Sequence, residues 1–138
     1  MDASLKEMLK FAAQESKSRG FRSVGIYHLM WAIHKLEPLV FDSWLEAYEV
    51  NPTPFIKMLE NILRPRRAGG GIPRDQHEAD LREEAIEMAS KLAARRGEEP
   101  AANHLGEILT SLSEDPILTL CERFCLDCKK PVSNVHKG

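Results

Sequence analysis

The feature that most constrains this chain is that it carries one motif twice. Gly25-Ile26-Tyr27-His28-Leu29-Met30-Trp31-Ala32-Ile33 returns as Ala101-Ala102-Asn103-His104-Leu105-Gly106-Glu107-Ile108-Leu109. His104 follows His28 by 76 residues, and at that offset Leu29, Ala32, Ile33 and Leu36 fall on Leu105, Ile108, Leu109 and Leu112. Both sets have the i, i+3, i+4, i+7 spacing that places apolar side chains on one helical face. Upstream the register slips by one residue, so that Met8, Leu9, Phe11, Ala12 and Gly20 fall on Ala85, Ile86, Met88, Ala89 and Gly97. Downstream it returns, with Trp44, Leu45, Tyr48 and Val50 on Leu120, Cys121, Phe124 and Leu126. A chain so written folds as two related halves.

Each half reads as helices. Residues 3–18 predict an amphipathic helix with Leu5, Met8, Leu9 and Ala12 on one face, capped by Asp2 or Ser4 and ended by Gly20. Residues 26–36 predict a second helix, apolar enough to be central. Pro38 opens a third, running to about Tyr48, and Asn51-Pro52 opens a fourth, running through Leu63. Residues 64–78, with Gly69-Gly70-Gly71 between two prolines, read as a flexible linker. The plan then recurs over 80–96, 103–113 and Pro116 to about Cys125, the last capped by Asp115. Asp127 stands where Asn51 stood, but Pro131 and the short tail leave an eighth helix incomplete. No segment alternates as a strand does, so the class is all-α. The expected organisation is one domain over 1–138: repeat 1 over 3–63, linker 64–78 and repeat 2 over 79–135.

The bulk numbers exclude several classes. With 138 residues, one hydrophobic core is affordable, and 19 basic against 21 acidic residues leave a net charge of −2. That balance points to neither nucleic acid nor a membrane surface. No apolar run approaches the roughly 20 residues of a membrane span, and no signal sequence is read at the start. Three cysteines bunched between 121 and 128 do not make a secreted disulfide framework, so a reduced, cytoplasmic setting is expected.

Two tandem four-helix motifs, each leading from a glycine through a loop into His-Leu, resemble the Clp N-terminal domain of Clp-type AAA+ unfoldases. The most specific parts are Gly20-x7-His28-Leu29 and Gly97-x6-His104-Leu105, and the likeness runs from about Leu5 to Asp127. The resemblance implies a pseudo-twofold bundle of about eight helices. It also implies a role: docking an adaptor protein, or an unfolded or tagged polypeptide, beside a AAA+ ring held in cis or in trans. No G-x-x-x-x-G-K-[ST] sequence is present, so the domain itself is expected to be non-catalytic, monomeric and without a cofactor. Many members have Gly-Thr-Glu-His before the central helix. Here Tyr27 and Asn103 replace both acids, and in members that recognise phosphorylated arginine those acids help hold the guanidinium.

The candidate site residues are therefore apolar. Ile26, Tyr27, Met30 and Trp31, with Asn103 from the second copy, are nominated as the peptide- or adaptor-binding surface. For Met30 and Trp31, which lie off the main apolar stripe, the competing reading is additional core. His28 and His104 lack an adjacent nucleophile or carboxylate and are read as holding the loop before each central helix. Cys121, Cys125 and Cys128, with His136, form the alternative: a small metal-binding or redox protein. The repeat argues against it, since Cys121 aligns with Leu45 as a buried small hydrophobe and Cys125 with exposed Glu49. Arg64, Arg66, Arg67 and Arg74 form the one basic cluster and read as a solvated linker, no aromatic being near for base stacking.

Overall fold

The computed structural model describes residues 4–21, 23–65 and 74–129, with side chains from residue 76 in the last span. Among these, seven α-helices and one 3₁₀ turn occur: α1 (Leu5–Ser18), α2 (Ile26–Leu36), α3 (Pro38–Ala47), α4 (Pro52–Ile62), α5 (Arg74–Arg95), α6 (Ala102–Ile108), the turn Leu109–Ser111 and α7 (Pro116–Arg123). The described residues are thus all-helical. Among the described residues the one sheet-like pairing is an isolated antiparallel bridge between Ser4 and Ala101.

Helix starts follow local chemistry. Ser4 and Glu7 form a reciprocal capping box on α1. The Asn51 side chain accepts from the Thr53 N–H at 3.1 Å, and Asp115 accepts from Ile117 and Leu118 at 3.1 and 3.2 Å. Pro38, Pro52 and Pro116 each take the first helical position, where a missing N–H costs nothing.

Helix ends recur between the halves. After α1, Gly20 has φ +78°, the Phe21 N–H donates to Ser16 O and the Gly20 N–H to Lys17 O. After α5, Gly97 has φ +68°, with Glu98 donating to Ala93 O and Gly97 to Ala94 O. Both are Schellman motifs, whose left-handed residue suits glycine. The same closure follows α3 and α7, where Val50 donates to Leu45 O (3.1 Å) and Leu126 to Cys121 O (2.8 Å). There the left-handed residues are Glu49 (φ +55°) and Cys125 (φ +56°).

Helix α2 is the hub, contacting α1, α3, α4 and α5. Every residue from Ile26 to Ile33 is consequently buried. A single apolar cluster runs from Leu5 to Cys121 and takes side chains from both halves, among them Met8, Leu29, Phe41, Leu59, Leu105 and Leu120. The counterpart of α2, α6 with its 3₁₀ turn, packs on α5 and α3. Its Gly106 lies so close to the Trp44 indole that a Cβ there would fall 2.1 Å from Nε1.

Three boundaries differ from the sequence reading, the first being the helix expected over 103–113, where α6 ends at Ile108 and a 3₁₀ turn follows. The linker was expected to reach residue 78, yet α5 begins at Arg74. Glu78 and Ala79 are buried on it, and Glu78 lies against the Gly25 backbone. The third helix of the second half ends at Arg123, and residues 126–129 are not helical. Linker residues 66–73, with Arg66 and Arg67, and the expected eighth helix beyond 129 lie outside the described residues.

Candidate functional site

The loop before α6 is organised by a buried histidine. His104 is 2% exposed, and its Nδ1 accepts from the Ala101 N–H at 3.0 Å. With Nδ1 an acceptor, the neutral ring carries its proton on Nε2, which donates to the Glu98 carboxylate at 2.8 Å. The first copy repeats the inner half of this arrangement: His28 Nδ1 accepts from the Gly25 N–H at 3.0 Å. Where the second copy places Glu98, the first places Phe21, edge-on to the His28 ring at 4.4 Å. Both histidines thus hold their loops.

That loop borders an open cleft. The Leu5 N–H donates to Pro100 O at 3.0 Å, tying the start of α1 to residues 98–101. Beside this junction lies a cavity of about 360 Å³ whose wall includes Ser4, Glu98, Glu99, Asn103 and His104. An adjoining cavity of about 240 Å³ shares Ser4, Glu99 and Pro100 with it and is floored by Leu5, Leu9 and Ile86. Leu9 on α1 and Ile86 on α5 are the equivalent positions of the repeated sequence. The groove therefore runs across the junction of the halves, acidic at one end and apolar at the other.

The structure redistributes the nominated residues. Asn103 is exposed and lines the acidic end. Ile26, Tyr27, Met30 and Trp31 do not form a docking surface, being 1%, 1%, 1% and 4% exposed. The reason is the position of α2, whose residues from Ile26 to Ile33 are enclosed by the helices α1, α3, α4 and α5. The Tyr27 hydroxyl donates to Pro116 O at 3.4 Å, and the Trp31 indole N–H donates to Glu15 at 3.1 Å. Arg19 and Lys35 flank the Trp31 ring at 5.4 and 4.7 Å. Glu98, Glu99, Leu9 and Ile86 are functional candidates that sequence reasoning passed over. Only the match of Leu9 with Ile86, and the acid pair before Pro100, signalled them.

The cysteines divide. Cys121 is buried, Cys128 half-buried and Cys125 exposed. Among the described residues, no group of three or more histidines, cysteines, aspartates or glutamates is placed to hold a metal ion. His136 lies outside them. Nor is any helix of the described residues long and apolar enough to cross a membrane.

Comparison of the chain with protein-family models, with curated proteins and with solved structures finds no match.

Proposed function

We propose that this chain is a non-catalytic docking domain of the Clp N-terminal type, a pseudo-twofold arrangement of two four-helix motifs. Its task is to bind polypeptide, free or as part of an adaptor, for a AAA+ unfoldase in cis or in trans. The observation that carries the reading is the groove across the two halves, floored by the equivalent residues Leu9 and Ile86 and rimmed by Glu98 and Glu99. Recurrent local geometry supports the repeat: the histidine-held loops at 28 and 104 and the paired helix ends at 20, 49, 97 and 125.

The occupant that fits is an extended peptide with an apolar side chain next to a lysine or arginine. The apolar side chain gains by leaving water, while the cation meets two carboxylates at the rim. A phosphorylated arginine fits poorly, because its phosphoryl group would face Glu98 and Glu99.

Anisotropy of a labelled peptide carrying such a pair tests the reading. Saturable binding is expected, weakened at least about tenfold by Leu9→Lys and by Glu99→Lys with helicity unchanged, and not displaced by phosphoarginine. Binding indifferent to both substitutions would sink it.

A further inference from the structure

The two inward cysteines are brought together by the fold, not by a sequence motif. Cys121 is 1% exposed on the inner side of α7. Beyond α7 the chain reverses through the left-handed residue Cys125, and the Leu126 N–H closes onto Cys121 O at 2.8 Å. Three residues on, the Lys129 N–H donates to Tyr48 O at 2.8 Å, pinning the returning segment against the end of α3. Between these two anchors Cys128 packs on the core that contains Cys121. Tyr48 belongs to the same cluster, so the returning segment, Cys121 and the end of α3 meet in one place. Cys125 is exposed, on the outside of the turn.

We propose that Cys121 and Cys128 are a redox modification site, forming a reversible internal disulfide that latches residues 124–129 onto α7. The oxidant is a hydroperoxide. The half-buried Cys128, as thiolate, attacks the peroxide oxygen; the O–O bond breaks, an alcohol (or water) leaves, and Cys128 becomes a sulfenic acid. The Cys121 sulfur then attacks the Cys128 sulfur. The S–S bond forms, the S–O bond breaks, and the departing hydroxide takes the Cys121 proton as water. Two thiols and one hydroperoxide thus give one disulfide, one alcohol and one water. A dithiol reverses the process by exchange, itself becoming a disulfide. Burial and the neighbouring Cys128 push the Cys121 thiol well above its ordinary value, so the second step speeds up with pH. This site is separate from the groove and does not depend on the docking reading.

Treating the whole chain with a small excess of hydrogen peroxide, blocking free thiols and mapping the peptides tests this. The expected product is monomeric, lighter by two hydrogens, cross-linked between 121 and 128, and alkylated at Cys125 alone. Because the bridge closes a short loop, the melting temperature should rise by about 5–10 °C and fall back with dithiothreitol. Cys125→Ser should keep both effects, and Cys128→Ser, which leaves the buried position intact, should abolish both. A bridge through Cys125, a disulfide-linked dimer, or over-oxidation of Cys128 with no internal bridge would overturn the proposal.

Discussion

At the scale of single residues, the least expected feature is a left-handed backbone at two residues that are not glycine. Glu49 and Cys125 take φ near +55° because the Schellman closures after α3 and α7 require it, although a β-carbon there costs about 1–2 kcal/mol. Glu49→Gly should therefore stabilise the chain by about 0.5–1 kcal/mol, part of the relief being offset by the greater freedom of the unfolded chain. The surface pair lost with it, Lys129 at 3.6 Å, is solvent-exposed and worth little. Urea unfolding of the two proteins checks this. Nothing in the sequence marks these positions, whereas Gly20 and Gly97 advertise theirs. A glutamate adopts the left-handed region only when the packing on both sides of it demands it, and that packing is tertiary. His34 carries a second prediction at this scale. It is half-buried between the rings of Trp31 and Phe41, 5.4 and 5.2 Å away. Burial, helped by the Lys35 charge and opposed by Asp42 and Glu60, lowers its pKa from the ordinary 6.5. The unfolded chain then takes up a proton at pH values where the folded chain does not. The stability so gained is fully present above pH 6.5 and is lost as pH falls through the lowered folded value. His34→Gln should flatten the fall of melting temperature between about pH 7 and 5; an unchanged slope would show that His34 does not contribute.

At the scale of elements, the sequence disclosed most where a helix has one buried face and a marked start. The second helix was legible to the residue, Ile26–Leu36, and Pro38, Pro52 and Pro116 each opened the helix assigned to it. The first turns of α5 were not legible. Gln76, His77 and Glu78 all look solvated in the sequence; the first two are exposed, but Glu78 is buried against the Gly25 backbone. The docking residues failed for a related reason. A helix covered on several sides and a helix with an apolar outer face have the same composition, and only the positions of α1, α3, α4 and α5 around α2 distinguish them. The contrast with α6 gives the third prediction. Met30 fills space on α2, whereas its counterpart Gly106 leaves room for the Trp44 indole. Gly106→Ala should favour the isolated helix by about 1 kcal/mol. In the folded chain the new methyl must displace an indole ring 2.1 Å away, so the net effect is a loss of about 1–3 kcal/mol. Thermal unfolding decides the sign, and a net gain would mean that α3 and α6 separate freely.

At the scale of the whole molecule, what matters is how the halves are joined other than through residues 66–73. Among the hydrogen bonds that cross between them are Leu5 N–H to Pro100 O at 3.0 Å, Lys129 N–H to Tyr48 O at 2.8 Å, the Tyr27 hydroxyl to Pro116 O at 3.4 Å and the Tyr48 hydroxyl to the Asp115 carboxylate at 2.6 Å. The last is the strongest, being short, buried and charge-assisted. Burial first, and then the carboxylate that accepts its proton, push the Tyr48 hydroxyl far above its ordinary range, so Tyr48 stays a donor at any ordinary pH. Removing that donor takes a short hydrogen bond from the Asp115 carboxylate, which is only 8% exposed. Tyr48→Phe should therefore destabilise the chain by about 1–3 kcal/mol with little change in helicity. The same ties, and an apolar cluster drawn from both halves, make the covalent connection dispensable once the chain has folded. The glycines and arginines of the linker make it the expected site of a first tryptic cut. The two fragments should then co-elute as one species of unchanged size under native conditions. In nicked Tyr48→Phe protein they should come apart at lower urea than in the nicked parent, since fragments no longer tethered must hold together by these contacts alone. Fragments that separate in native buffer would show that each half carries its own core and that the groove is not shared between them.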